Sequence, residues 1–202
     1  MERLTSDPLR CKAFSLLELL IVMVIIMLLL GLVVTGPASI KQSLSINSSA
    51  QSLRSAMLIA KQEAGSRNLP VEVRFCRTGA SVPVRYVQVL VYESNGNKRP
   101  LIKPLQYKDE DGIIIDSDAT KSSLFASATF RSAATSDPSL PGGVTNYQVA
   151  GFFVRPGGAT SLPTTNSPTL LVRLERDTAT TPINYAMLII DPFTLRITTY
   201  RP

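Results

Sequence analysis

A single carboxylate at the mouth of a long apolar run constrains this chain more than any other feature. Phe14-Ser15-Leu16-Leu17-Glu18 opens the run, and Leu19 to Val34 then contains no charged residue. Phe14 to Val34 covers 21 residues, about 31 Å as an α-helix, enough to cross a hydrocarbon core of about 30 Å. A charged group at the centre of a bilayer costs about 2.5 to 3.5 kcal/mol. Glu18 lies about one turn inside the start, so snorkelling lowers that cost without abolishing it. It needs a partner, and the cation this chain can supply there is a free α-amino group made by cutting before Phe14. On that reading residues 1–13 are a leader and 14–34 a transmembrane helix.

Two plainer readings compete. A secretory signal peptide has a small-residue cleavage site after an apolar core of about 7 to 15 residues; here the core is longer and only Thr35-Gly36-Pro37-Ala38-Ser39 follows it. A signal anchor with an incidental Glu is the other. Charge sets the topology in either case. Arg3, Arg10 and Lys12 precede the run and Lys41 is the first cation after it, which keeps the N-terminus cytoplasmic and the rest of the chain outside.

Beyond the run about 160 residues remain, enough for one domain with its own core. The chain has two cysteines and no histidine. Cys11 falls in the leader, which leaves Cys76 unable to form an intrachain disulfide after cleavage, and Cys/His zinc sites are excluded. The net charge is +6, and losing three cations and two anions with the leader leaves +5, a modestly basic surface.

Gly36-Pro37 interrupts the helix just past the run. An amphipathic helix resumes over 35–68, with Ile46, Ala50, Leu53, Met57, Ala60 and Ala64 on one narrow stripe. That stripe packs on the chain's own sheet. Gly65 and Asn68-Leu69-Pro70 end the helix, giving about 50 helical residues, half membrane and half domain core. From there, over 69–202, the period changes to two. Val71 to Phe75 and Arg85 to Tyr92 alternate cleanly, with Ser94-Asn95-Gly96-Asn97 as a hairpin turn. Further strands are expected at Leu124 to Arg131, Tyr147 to Arg155, Thr169 to Arg176, Tyr185 to Ile190 and Thr194 to Tyr200. The Pro-, Gly- and Ser-rich stretches Ser132 to Gly143 and Pro156 to Pro168 read as mobile loops. The fold class is α+β: a long helix packed on a mainly antiparallel β domain.

Lys12 to Val34 resembles the class III signal of type IV pilins and type II secretion pseudopilins. The resemblance implies the pilin fold, cleavage by prepilin peptidase between Ala13 and Phe14, and methylation of the new Phe14 amine. Ala13 stands where Gly is usual. Glu18, fifth in the mature chain, would pair with the terminal amine of a neighbouring subunit. Leu53 to Ala64 with Arg67 to Val73, Phe152 to Gly158 and Leu188 to Ile197 resemble the H-type pseudopilins and T-type minor pilins (GspH/FimT). Leu195 stands where a turn Gly is commoner. The implied partners are the peptidase, sibling pilin subunits, an inner-membrane assembly platform and membrane lipid.

Nothing points to catalysis. Without histidine, and with Cys76 inside a strand, no Ser/His or Cys/His pair can be built, and no cofactor motif is present. Asp109, Glu110, Asp111, Asp116 and Asp118 are acid-rich but lack the spacing of a calcium loop, so no metal is assigned. Gly142-Gly143 and Gly157-Gly158 lack the Gly-Lys-Ser/Thr of a phosphate loop. The reading is a minor pilin or pseudopilin of a membrane-anchored filament. The alternatives are a DNA-binding minor pilin using Arg196 and Arg201, and a bitopic periplasmic binding protein that never assembles.

Overall fold

The computed structural model describes residues 15–35, 37–80, 82–93, 96–107, 112–179 and 182–202, with side chains described outside 31–40. The proposed leader, Ala13 and Phe14, together with Asp109, Glu110, Asp111, Ser94 and Asn95, lie outside the described residues. The chain forms two compact units, Met1–Lys41 and Gln42–Pro202.

In the first unit α1 runs from Leu16 to Thr35. Ser15 caps it: the Glu18 N–H donates to Ser15 Oγ at 3.1 Å and to the Ser15 carbonyl at 3.0 Å, satisfying a donor that has no partner within the helix. Its aliphatic side chains from Leu16 to Leu30 are 46 to 85 % exposed, on every side of the helix. A helix that is apolar all round is a buried element, in a protein core or in a membrane. Among the described residues no helix is long and apolar enough to cross a membrane; the described side chains of α1 end at Leu30, and the expected span runs on to Val34. A second helix, α2 (Pro37–Arg67), starts on Pro37, where a missing N–H costs nothing; Gly36 lies outside the described residues.

The second unit holds the rest of α2 and every strand. Asn68, at φ +53°, takes the left-handed conformation that stops the helix, and Pro70 prevents its resumption. Two antiparallel sheets follow. The first is built from β1 (Val71–Arg77), β2 (Tyr86–Tyr92), β3 (Lys98–Pro100), β4 (Leu105–Gln106), β6 (Arg131–Ser132) and β7 (Gln148–Val154), in the order β3-β2-β1-β7-β6 with β4 also on β2. The second is β5 (Ile113–Ile115), β8 (Thr169–Leu174), β9 (Tyr185–Ile190) and β10 (Ile197–Tyr200), in the order β10-β9-β8-β5. Each strand pair is antiparallel.

The α2 stripe is the hub of the core. Ile46, Ala50, Leu53, Met57, Ala60 and Ala64 are all 0 % exposed and share one cluster with Val71, Val73 and Phe75 of β1, Phe152 of β7, Leu170 of β8 and Leu188 of β9. Burying each large aliphatic side chain contributes about 1.5 to 3 kcal/mol.

Two sequence expectations fail here. Leu124 to Arg131 is not a strand: Leu124–Ser127 is a single helical turn, α3, and only Arg131 and Ser132 join a sheet. Leu124 and Phe125 are consecutive and both buried; a strand would turn one of them outward, whereas a helical turn tucks both under. Phe125 sits edge-on to Phe75 at 5.5 Å and stacks on Phe130 at 5.2 Å. Ser123 is tied to Thr169 by a pair of hydrogen bonds, Thr169 N–H to Ser123 Oγ at 2.9 Å and Ser123 N–H to Thr169 Oγ1 at 3.3 Å, which fixes the turn against β8. The second failure is the stretch Ser132 to Gly143. Expected as a mobile loop, it is folded onto the outer face of the first sheet, where Leu140 packs with Cys76, Tyr147 and Val149.

Candidate functional site

Charged side chains gather at three places: the start of α1, the centre of the first sheet, and the cationic end of β10. The first is set by its cap. Glu18 is the third residue after the Ser15 cap, where a carboxylate is favoured by the unpaired N–H groups and positive pole of the helix. Its side chain is exposed, and among the described residues no cation pairs with it. Ala13 and Phe14, the residues expected to be cut apart, lie outside the described residues.

The second place was not foreseen. On β1, Glu72 and Arg74 alternate with apolar residues, and both are buried, at 4 % and 0 % exposed. Arg74 Nε lies 2.7 Å from Glu72 Oε2 and its Nη1 lies 3.0 Å from Asp137 Oδ1, close ion pairs whose N–H directions miss the oxygens. Its Nη2 donates to Tyr92 Oη at 3.1 Å, and Tyr92 donates in turn to Glu72 at 2.6 Å. Lys98 reaches Asp137 at 2.5 Å, and the Ala134 N–H donates to the other Asp137 oxygen at 2.8 Å. Burial works against the Arg74 charge, but Glu72 and Asp137 more than reverse this and raise its pKa. For Asp137 burial pushes upward, and the hydrogen bonds from Lys98 and the Ala134 N–H together with the nearby Arg74 charge prevail, holding it down at about 2. Tyr147 and Gln88 both donate to the Pro138 carbonyl, at 2.6 and 3.4 Å. Gly151 of β7 stands opposite Arg74 in the ladder. The arrangement is a clamp that seals a loop over a sheet. It offers no nucleophile, because burial pushes the Cys76 thiol up to about 12 and removes its reactivity.

The third place separates two residues that the sequence had grouped. Arg196 is exposed in the β9–β10 turn. Arg201 is committed to the domain itself: its guanidinium binds Ser43 on α2 and Asn184 before β9, the latter at 3.1 Å. Arg196 and Arg201 therefore do not make one free cationic stripe. Leu195 occupies the left-handed region at φ +51° with its side chain fully buried, so the turn that resembled one with Gly takes the glycine conformation and keeps a core side chain. Of the acid-rich stretch, Asp116 is buried against Arg173 at 2.6 Å and Lys121 at 3.7 Å, and Asp118 accepts from the Thr120 N–H and hydroxyl. These carboxylates serve local structure.

Residues 8–34 match the prokaryotic N-terminal methylation motif. The solved structure of the minor pseudopilin EpsH from the Type 2 Secretion System of Vibrio cholerae is similar at 16 % identity, covering 76 % of this chain and 96 % of that chain, with a TM-score of 0.47. No curated protein sequence matches. The chain thus carries a methylation motif that takes in Ala13, Phe14 and Glu18 and ends at Val34.

Proposed function

We propose that this chain is a minor pilin or pseudopilin, a subunit of a membrane-anchored filament of the type II secretion or type IV pilus kind, within the H-type and T-type subgroup. The carrying observation is the exposed Glu18 in the first turn of an all-apolar helix, inside a matched methylation motif. Cutting between Ala13 and Phe14 would create an amine at the start of the same helix. A carboxylate four residues away along one helix start can meet the amine of a neighbour once both are withdrawn from water, where the pair is far stronger than at a surface. The apolar sides of α1 would pack first in lipid and then in the filament core, with the β domain outside the cytoplasm. Partners on this reading are prepilin peptidase, sibling subunits, the inner-membrane platform and lipid. The role is structural, not enzymatic.

Intact-mass measurement and N-terminal sequencing of protein extracted from membranes test it. The expected species starts at Phe14 and carries one added methyl group. A retained Met1, or a start near Ala38, overturns the proposal.

A further inference from the structure

β10 is the terminal strand of the second sheet, and its outer edge borders a cleft of about 750 Å³ beside α2. The hydrogen bonds of the sheet show what that edge offers. The Ile190 N–H donates toward β8, to the Pro168 carbonyl, and the Asp191 N–H donates toward β10, to the Arg196 carbonyl. Alternation along β9 then pairs Thr198 and Tyr200 with β9 through Ile189 and Met187. The backbone groups of Ile197 and Thr199 consequently point away from β9, into the cleft. Thr199 is also among the lining residues, and its hydroxyl is shielded from solvent with no hydrogen-bond partner. An unpaired strand edge of this kind is a template for another strand.

Charge selects the kind of strand. Arg54, Lys61 and Arg196 line the cleft and none of its lining residues is acidic; Lys61 Nζ donates to the Thr194 carbonyl at 2.8 Å, which leaves Arg54 and Arg196 to face a ligand. The nearby Asp191 carboxylate is occupied within its own turn, accepting from the Phe193 N–H at 2.9 Å and the Thr194 hydroxyl at 2.7 Å. Lys61 and the 45 % exposed Leu58 also line a second hollow that continues along α2 to Pro156. The cleft thus has a ladder of backbone groups on one wall, a cation on each and Leu58 as an apolar step, and the Lys61 side chain bridges the two walls at its end.

We infer that the cleft between α2 and β10 binds an extended acidic peptide segment, which adds as a further strand on β10 with its carboxylates facing Arg54 and Arg196. The inference stands apart from the proposed role of Glu18, since every residue it uses lies in Gln42–Pro202. A nucleic acid would meet the cations but would leave the outward amides and carbonyls of Ile197 and Thr199 without ladder partners.

The test uses the full chain in detergent micelles and fluorescence anisotropy with a labelled octapeptide of alternating glutamate and valine. Three comparison probes are run: the same peptide with glutamine for glutamate, the same peptide N-methylated on alternate backbone amides, and a labelled single-stranded oligonucleotide of equal charge. Binding of the acidic peptide, with at least a tenfold loss for the glutamine and N-methylated forms, is the expected result. Arg54→Glu and Arg196→Glu should each weaken it about tenfold while the circular dichroism melt is unchanged. Equal binding of the N-methylated peptide, tighter binding of the oligonucleotide, or no peptide binding overturns the inference, and the peptide comparisons need no variant to fold.

Discussion

Asp137→Asn isolates the clamp that holds Ser132 to Gly143 on the first sheet. Asparagine keeps an oxygen for the Ala134 N–H and removes only the charge facing Arg74 at 3.0 Å and Lys98 at 2.5 Å. The Asp137 carboxyl is held at about 2 against an ordinary value of 3.8, a difference that corresponds to about 2 kcal/mol of folding stability. Removing one partner of a buried pair costs about 3 to 5 kcal/mol when the other charge is stranded. Arg74 keeps Glu72 at 2.7 Å, so the lower figure applies. The sign follows from the depressed pKa: the contribution is complete above the ordinary carboxylate value and fades as pH falls from about 4 toward 2. For a unit the size of Gln42–Pro202 a loss of 2 kcal/mol lowers Tm by about 4 to 8 °C. Thermal melts followed by circular dichroism should show that gap at pH 6, and the wild-type and variant curves should converge at pH 2. Equal Tm values at pH 6, or a gap that persists unchanged at pH 2, would refute the assignment.

Three further outcomes are expected. Glu18→Gln should insert and be cut normally yet lose crosslinks to sibling subunits, and undiminished crosslinking would contradict the pairing of its carboxylate. Residues 41–202, which enclose the whole α2 stripe, should form a soluble, cooperatively unfolding β-rich monomer; Met57→Asp should abolish the transition, since it puts an unpaired carboxylate at a fully buried position. Gly151→Ala should lower Tm by 5 °C or more (about 2 kcal/mol), because its Cβ would lie 2.3 Å from the Val73 carbonyl oxygen in a ladder that cannot give way; an unchanged Tm would show that β1 and β7 pair loosely there.

What the sequence reveals and what it conceals divide along a physical line. The α2 stripe and the strands β1, β2, β7, β8, β9 and β10 announce themselves because their apolar, β-branched and aromatic residues form local runs of four or more positions. Ile113–Ile115 carries no period, since all three residues are buried, and β3, β4 and β6 have only two or three residues each, too few for alternation to register. The start of α1 is also local: Ser15-Leu16-Leu17-Glu18 has the spacing of a capping box, and a cap and an assembly carboxylate can occupy the same two residues without conflict.

The charged clamp is hidden for the opposite reason. Val71-Glu72-Val73-Arg74-Phe75 is indistinguishable by pattern from a strand with one face in water, and that is how it reads until a second layer is found. The second layer comes from Asp137, Pro138 and Leu140, more than sixty positions along the chain from Arg74, in a stretch whose Ser, Pro and Gly content resembles that of a free loop. Composition measures how much apolar surface a segment can bury, but this segment is held by one carboxylate shared between two cations and by a carbonyl that accepts from Tyr147 and Gln88. Such an anchor needs few residues and leaves no periodic trace. It also explains why Glu72 tolerates burial: Arg74, the Tyr92 hydroxyl and, at 3.5 Å, Arg131 all converge on its carboxylate. The inner face of the first sheet is therefore closed by α2 through apolar area, and its outer face by a short loop through charge. The second closure alone should respond to acid, which makes the pH dependence of Asp137→Asn a measure of how far the outer layer stabilises the domain.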